Sequence, residues 1–276
     1  MENLQMQAIS VPRLGLGTFR MQGDTCRRAV ESALALGYRH VDTAEMYGNE
    51  EAVGAAIGAC GLARKDLHVT TKVWNANLAP DAIRQSLDAS LQKLKLDYVD
   101  LYLVHWPAQD MNLAAIFATL GRLQAEGRTR AIGVCNFNVA LLRSVIEDVG
   151  ASIACNQIEY HVLLDQTPVR AYLASKSIPI IAYCPLAQGT LADHPALAAI
   201  GRKHGASAAQ VALKWLLDQP GVAAIPKAQR AESQKANLDA LNLTLDGEDR
   251  RAIAALPKDK RFVNPPFAPA WDRPDA

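Results

Sequence analysis

Four side chains that could transfer protons stand at or just beyond the ends of short apolar runs in the first 105 residues: Asp42, Tyr47, Lys72 and His105. Taken singly, each has a commoner role, as a helix cap, a half-buried aromatic, a surface lysine or a core histidine. A phenol with a pKa of about 10 is a weak acid at neutral pH, and a neighbouring ammonium lowers that pKa. A buried ammonium in turn requires a carboxylate partner. We therefore expect contacts that run from Asp42 through Lys72 to Tyr47.

His105 completes this set because an imidazole can donate a hydrogen bond to a carbonyl oxygen or orient it. A proton donor beside an electrophilic carbonyl is the arrangement that hydride reduction requires. The four residues together predict a catalyst of carbonyl reduction.

The segments around these residues alternate between strand-like and helix-like patterns along almost the whole chain. Eight β-rich runs occupy residues 14–18, 38–43, 67–72, 98–105, 131–135, 154–159, 179–183 and 222–226. Amphipathic helical patterns lie between them, with predicted caps at Asp24, Asn138, Thr167 and Ser207. Eight such units predict one α/β domain over residues 1–276, a single (β/α)8 TIM barrel. Two extra helices, 195–204 and 246–256, and a short C-terminal tail from Pro257 complete the prediction.

A doubly wound dinucleotide-binding sheet is the main alternative fold. It needs a glycine-rich turn after its first strand, and the pattern beginning Gly15-x-Gly17 has Arg20 where the third glycine belongs. In a barrel, reactive groups collect at the carboxyl ends of the strands, where Asp42, Lys72 and His105 are expected.

Composition excludes several classes of partner. Lys+Arg 29 against Asp+Glu 28 gives a net charge of +1, which argues against nucleic-acid and membrane partners. Five widely spaced cysteines without a C-x-x-C pattern are typical of reduced thiols in a cytoplasmic protein. The N-terminus shows no secretory signal pattern. Nothing in the sequence indicates an obligate assembly, so we expect a monomer.

Seven motifs resemble those of the aldo-keto reductases, in the order and spacing of that family. They are residues 15–19 (GLGTF), 42–50 (DTAEMYGNE), 71–72 (TK), 101–107 (LYLVHWP), 133–137 (GVCNF), 156–157 (NQ) and 225–227 (IPK). Within the family the chain most resembles the bacterial 2,5-diketo-D-gluconate reductase type, including its closing residues 268–272 (APAWD).

The resemblance implies NADPH-dependent reduction of aldehydes and ketones to alcohols, acting on small aldehydes, α-keto carbonyls and oxidised sugars. It implies that Tyr47 is the general acid, that Lys72 and Asp42 tune it, and that His105 orients the carbonyl. The implied cofactor-binding residues are Gly17, Thr18, Asp42, Cys135, Asn136, Gln157, Tyr183, Cys184, Pro185, Leu186, Gln188, Gly189, Lys227, Ala228, Arg230, Ser233 and Asn237.

Three positions depart from the family pattern. Cys135 and Cys184 replace serines, and a thiol is a weaker hydrogen-bond partner than a hydroxyl. Ser233 replaces the arginine that grips the 2′-phosphate of NADPH, and Lys227 and Arg230 supply the remaining positive charge. We therefore expect a preference for NADPH with some use of NADH.

The substrate pocket is predicted from aromatic residues. Phe19, Trp74, Trp106 and Trp271 could wall it together with His105, or could simply pack the barrel rim. The segment 107–112 and the tail are short, which predicts an open pocket for small carbonyl compounds.

Three other functions stay open at this level. A metal-dependent TIM-barrel hydrolase would use His40, Asp42, His105 and His161 as ligands, although Lys72 places a cation among them. A glycosidase would need a second carboxylate to act with Glu159, and no such pair is evident. A nucleotide-binding regulatory subunit with residual reductase activity would share the same sequence features. No metal is expected.

Overall fold

Eight parallel strands form a curled sheet in the computed structural model, which describes residues 3–273. The strands are β3 (Leu16–Gly17), β4 (His40–Asp42), β5 (His68–Val73), β6 (Val99–Val104), β7 (Thr129–Cys135), β8 (Asn156–Glu159), β9 (Ile180–Tyr183) and β10 (Val222–Ala224). Each strand pairs with its neighbours in sequence order. The predicted (β/α)8 barrel is confirmed.

Backbone hydrogen bonds between the first and last strands close the barrel. The N–H of Gly15 donates to the carbonyl of Ala224 at 2.9 Å, and Ala224 N–H donates to Arg13 at 2.8 Å. A Cβ at Gly17 would lie 2.6 Å from the carbonyl oxygen of Ile225. Glycine is required there because any side chain would push the closing strands apart.

A hairpin that the sequence patterns did not indicate precedes the barrel. Strand β1 (Asn3–Met6) pairs antiparallel with β2 (Ile9–Pro12). Met6 and Val11 from this hairpin are fully buried and pack in one cluster with Leu101 and Leu103 of β6. The hairpin therefore contributes to the apolar cluster that includes these β6 side chains.

Helices cover the outside of the barrel. Within residues 3–273 they are α1 (Gly23–Ala35), α2 (Glu50–Ala59), α3 (Pro80–Leu94), α4 (Leu113–Ala125), α5 (Val139–Arg143), α6 (Thr167–Ser175), α7 (Pro195–His204), α8 (Ala208–Leu217), α9 (Ala231–Asp239) and α10 (Gly247–Ala254). A π turn, Ser144–Asp148, extends α5, and short 3-10 turns cover Glu45–Tyr47, Arg64–Asp66, Asn75–Asn77, Ala187–Gly189 and Ala240–Asn242. No helix of this part of the chain is both long and apolar enough to span a bilayer.

Two of the four predicted helix caps are confirmed. Asn138 and Ser207 cap α5 and α8 with their side chains, as predicted. The prediction that Asp24 caps α1 is wrong, because the helix begins at Gly23 and Asp24 lies in its first turn. A carboxylate is still favourable there, because the helix dipole is positive at that end. Thr167 is the first residue of α6, and the capping position belongs to Gln166.

Side chains alternate between two cores along each strand. Val69 and Tyr102 face the helices and pack with Ile83 and Leu87 of α3. Leu101 and Leu103 belong to a second apolar cluster, which also holds side chains from β7, β9 and β10. Because period-2 alternation fixes which face each residue occupies, Lys72 lies on the opposite face of β5 from Val69 and Val73.

Candidate active site

The four proton-transfer candidates meet at the carboxyl end of the barrel. Asp42 ends β4, Lys72 is the fifth residue of β5, and His105 directly follows β6. Tyr47 ends the 3-10 turn Glu45–Tyr47, five residues beyond Asp42. The tertiary structure therefore brings together all four residues that the sequence singled out.

The ammonium of Lys72 is completely enclosed and paired. Its Nζ lies 2.5 Å from Asp42 Oδ1, and both side chains are at most 2% exposed. It also donates to the carbonyl oxygen of Thr43 at 2.7 Å. The second oxygen of Asp42 accepts from Gln157 Nε2 at 2.7 Å. Such a pair is held in a single geometry because each partner would otherwise be an isolated buried charge.

Tyr47 lies between this ion pair and the imidazole. Lys72 Nζ is 5.1 Å from the centre of the Tyr47 ring, and the His105 ring centre is 5.5 Å away. The side chain of Gln22 donates to the Tyr47 carbonyl at 2.6 Å, which fixes the backbone of the turn. The phenol is thus placed within a few ångströms of both a cation and a hydrogen-bonding ring.

Asn49 fastens the loop that carries Tyr47, a role that the sequence analysis missed. Its buried amide donates to the carbonyl groups of Thr18 and Met21, both at 2.9 Å, and accepts from Thr43 Oγ1 at 2.7 Å. Thr18 Oγ1 in turn donates to the Asp42 carbonyl at 2.9 Å. The Gly-Asn-Glu signal at 48–50 could have indicated it, because buried asparagines commonly bridge loop backbones.

The pKa shifts show which protons are present at neutral pH. Burial alone would lower the pKa of Lys72, but Asp42 and then Tyr47 raise it, so the amine stays an ammonium. Burial raises the pKa of Tyr47 to about 12, against the opposing effect of Lys72, so the phenol keeps its proton. Burial and the charge of Lys72 hold the pKa of His105 well below its usual value, so the ring is neutral. The predicted effect of Lys72, which is to lower the pKa of Tyr47, is present, but desolvation outweighs it.

The side-chain amides of Asn136 and Gln157 extend the hydrogen-bond network around the four residues, and Asn136 connects it to Tyr183. Asn136 Nδ2 donates to the His105 carbonyl at 2.9 Å, and its Oδ1 accepts from the Tyr183 hydroxyl at 2.7 Å. Asn136 has a φ of 64°, a conformation that asparagine tolerates better than most residues. The side-chain amide of Gln157 donates to Asp42 and so joins the same hydrogen-bond network. The half-buried Tyr183 is therefore hydrogen-bonded to Asn136, one of the two amides that the resemblance assigns to the cofactor.

The segment after β9 has an unusual backbone. Cys184, Ala187 and Gln188 all have positive φ, between 49° and 54°, although none is glycine. Such conformations cost free energy and are concentrated at functional sites. Pro185 is buried, Leu186 and Cys184 are half-buried, and Gln188 and Gly189 are exposed. Burial raises the pKa of Cys184 to about 11 and that of Cys135 well above its usual value, so neither thiol is poised as a thiolate.

A second group of predicted cofactor residues lies around the start of α9. Lys227 and Arg230 are exposed, and Ser233 is half-buried in the first turn of the helix. Ala228 and Asn237 are buried, the latter against Tyr38. Two exposed cationic side chains beside a helix N-terminus form a region suited to a phosphate group.

An aromatic wall stands beside His105. Trp74 lies 5.3 Å from the His105 ring, and Phe267 from the tail lies 5.7 Å from Trp74 and 5.6 Å from Trp106. Trp271 follows at 6.1 Å from Trp106. Phe19 lies separately, 5.0 Å from Tyr47. Phe267, 47% exposed, was not predicted from the sequence, because no local pattern places the tail across the barrel.

The structure does not assemble the alternative sites. Among residues 3–273, only His204, Asp246 and Asp249 bring three potential metal ligands within 4.8 Å of one another. That group lies far along the chain from His40 and Asp42, and Lys203 Nζ already pairs with both of its carboxylates. The oxygens of Glu159 accept backbone hydrogen bonds from Phe262 and Val263, so its carboxylate has a structural role.

The residues present suit a nicotinamide cofactor. A half-buried tyrosine ring, two amides, a strained turn and exposed cations offer stacking, carboxamide and phosphate contacts. The buried Nδ1 of His105 has no hydrogen-bond partner among the described residues, and the ring that carries it lies 5.5 Å from the Tyr47 ring. These features fit the site of a nucleotide-dependent oxidoreductase on a (β/α)8 barrel.

Comparison with known proteins agrees with this class. The sequence profile described as the Aldo/keto reductase family matches residues 13–258. Methylglyoxal reductase DkgB of Escherichia coli O157:H7 is 43% identical over 268 residues, which cover 96% of this chain and 100% of that protein. Glyoxal reductase of Bacillus subtilis strain 168 is 40% identical and covers 92% and 91% of the two chains. The crystal structure of a proposed 2,5-diketo-D-gluconic acid reductase B superposes with a TM-score of 0.95 at 40% identity, over 99% and 98% of the chains.

The chain belongs to the aldo-keto reductase family. It is an oxidoreductase that acts on small carbonyl compounds, and the family uses NAD(P)H as its reductant.

Proposed function

We propose that this enzyme reduces small, activated carbonyls, above all α-dicarbonyls such as glyoxal and methylglyoxal, with NADPH as the preferred reductant. The arrangement that carries the proposal is the enclosed Asp42–Lys72 pair beside Tyr47 and His105. The names of the curated relatives, a methylglyoxal reductase and a glyoxal reductase, support the substrate class.

The reaction needs a hydride and a proton, and the bound nicotinamide supplies the hydride. Tyr47 donates its phenolic proton to the carbonyl oxygen as negative charge develops there. Its raised pKa ensures that the proton is present at neutral pH. Lys72 stabilises the phenolate that remains, and Asp42 keeps the ammonium charged and in place. The phenol then recovers its proton from solvent.

His105 orients the substrate in this proposal. Because its ring is neutral, it can donate one N–H to the carbonyl oxygen without adding a charge to the site. Asn136 holds the His105 backbone from the other side through its side-chain amide. The ring therefore defines the position of the oxygen relative to the Tyr47 hydroxyl.

The preference for NADPH is supported by the cations near α9. Lys227 and Arg230 are exposed and can reach a 2′-phosphate, whereas Ser233 offers no charge. We infer a preference that is incomplete, with measurable use of NADH. The single-domain organisation, the monomeric state and the cytoplasmic location stay predictions.

A panel of carbonyl compounds assayed with NADPH and NADH by the loss of absorbance at about 340 nm tests the proposal. We expect the highest kcat/KM with methylglyoxal or glyoxal and NADPH, and lower but measurable rates with NADH. Equal efficiency with both reductants would contradict the preference. Turnover of bulky carbonyls alone would contradict the substrate class.

A further inference from the structure

A buried carboxylate on β8 holds the C-terminal strap, residues 258–273, against the barrel. Glu159 is 0% exposed, and its Oε1 accepts from the N–H of Phe262 at 2.7 Å. Its Oε2 accepts from the N–H of Val263 at 2.9 Å. The two partners lie more than one hundred positions further along the chain, so these bonds connect a barrel strand directly to the strap. Hydrogen bonds to a carboxylate are stronger than those between neutral groups.

His161 also contacts the Glu159 carboxylate. Its Nδ1 accepts from Leu163 N–H at 3.3 Å, which leaves the proton on Nε2, and Nε2 lies 3.1 Å from Glu159 Oε1. Arg261 is 3.9 Å from Glu159 Oε2 and stacks on Trp271 at 3.8 Å. The anchor therefore connects to the aromatic wall through Arg261.

The strap is tied at further points on both sides of this anchor. Lys260 N–H donates to Leu163, and Asp165 N–H donates to Lys258, both at 2.9 Å. At the far end, Asp272 Oδ2 accepts from the N–H of Val139 at 2.9 Å. Between these ties the strap carries Phe267 and Trp271, which face Trp74 and Trp106 beside His105.

We propose that Glu159 is a positioning residue for substrate selection, because it sets the place of the strap and so of the Phe267–Trp271 side of the pocket. This inference rests on the proposed carbonyl reduction. Glu159 does not touch the Tyr47 site in the contacts that the structure shows, so it acts through the wall rather than through proton transfer. Larger apolar substrates depend on that wall more than glyoxal does.

Glu159→Gln tests the proposal because it keeps the shape and replaces one acceptor with an amide donor that faces a backbone N–H. We expect the KM for phenylglyoxal to rise about tenfold, with the KM for glyoxal and both kcat values within twofold of the parent. The exposed Glu51→Gln is the matched control and is expected to behave as the parent. A fall in kcat for both substrates at unchanged KM would overturn the proposal.

The full-length variant Phe267→Ala/Trp271→Ala separates a local from a general effect. In that background the aromatic side chains that the strap contributes are absent, so Glu159→Gln is expected to change the KM for phenylglyoxal by less than twofold. A tenfold change that persists in that background would show that Glu159 acts on the barrel itself, which overturns the proposal. Val263→Pro, which removes one donor from the strap and leaves the barrel intact, is expected to raise the same KM. An unchanged KM in that variant would also contradict it.

Limited trypsin digestion tests the anchor without any enzymatic assay. Cleavage after Lys258, Lys260 or Arg261 requires the strap to detach, because its backbone is hydrogen-bonded to residues 159–165. We expect at least about tenfold faster cleavage there in Glu159→Gln than in the parent or in Glu51→Gln. Faster cleavage in a protein that reduces no carbonyl would refute the proposed function and keep the anchor. Equal cleavage rates would refute the anchor.

Discussion

The Nζ of Lys72 lies 5.1 Å from the centre of the Tyr47 ring, with the ammonium sealed from solvent. A fixed cation at this distance favours a negative charge on the phenol without forming it in advance, since burial keeps the Tyr47 pKa near 12. The charge is stabilised only when the proton leaves, which is the moment at which carbonyl reduction needs it.

Tyr47→Phe removes the proton donor and keeps the ring. We expect kcat for methylglyoxal to fall about 10³-fold, while the Kd for NADPH, measured by fluorescence titration, changes less than threefold. Tyr172→Phe, which removes an exposed hydroxyl that donates to Glu147, is the matched control. A Tyr47→Phe variant with the parent rate would place the acid elsewhere.

Lys72→Met leaves the Asp42 carboxylate buried without its cation. We expect the free energy of unfolding in urea to fall by about 3–5 kcal/mol, because a buried unpaired charge is costly. We also expect kcat to fall, because the Tyr47 phenolate loses the cation that stabilises it. The double variant Lys72→Met/Asp42→Asn is expected to recover part of the stability and none of the activity. Recovery of activity in the double variant would contradict the role of the ammonium.

Acid should destabilise the fold through buried neutral histidines. His40 and His68 have ring centres 4.6 Å apart, and burial lowers the pKa of His40 to about 4 and that of His68 well below its usual value. The unfolded chain binds these protons near pH 6.5 and the folded chain does not, so stability is lost as pH falls from about 6.5 towards about 4. Each such histidine lowers the free energy of unfolding by about 1.4 kcal/mol for every pH unit that the pH falls within this window.

Urea unfolding of the parent and of His68→Gln at pH 7 and pH 5 measures this contribution. Between pH 7 and pH 5 we expect the free energy of unfolding to fall by about 2 kcal/mol less in His68→Gln than in the parent. Buried carboxylates such as Glu50, whose pKa is raised by burial, act in the opposite sense but cancel in the comparison. His194→Gln, at a partly exposed histidine, is the control. An identical loss in His68→Gln and the parent would contradict the assignment.

Ser233→Arg should sharpen the choice of reductant. A guanidinium in the first turn of α9 would add paired donors for a 2′-phosphate, so we expect the ratio of kcat/KM for NADPH to that for NADH to rise about tenfold. Gln229→Arg adds the same charge nearby at an exposed position and is expected to change the ratio less. Equal gains in the two variants would show that net charge, and not position, sets the preference.

Local patterns account for the barrel strands, most of the helices and the choice of the four candidate proton-transfer residues. Apolar periodicity and helix-capping residues involve neighbours within a few positions along the chain, as the caps at Asn138 and Ser207 show. Once eight strand–helix units are recognised, chain geometry alone places Asp42, Lys72 and His105 at one end of a barrel. The hairpin at residues 3–12 was missed because its two strands pair only with each other, as a separate sheet outside the repeating strand–helix pattern.

The pKa of Tyr47 could not be predicted from the sequence. The sequence supplies a cation next to a phenol, but the balance between that cation and desolvation depends on how deeply each group is enclosed. Only the packed structure gives that depth, and in it desolvation is the larger effect, so the pKa of Tyr47 is raised.

By itself the sequence determined the barrel and the family and indicated the four candidate catalytic residues, because each is encoded by residue type and short-range spacing. The tertiary structure decided that Glu159 grips the tail, that Phe267 faces Trp74, and that Asn49 fastens the Tyr47 loop. Contacts such as Glu159 with Phe262 join segments more than one hundred positions apart. Their partners are set by where the folded chain returns in space, and no periodicity along the sequence records that return.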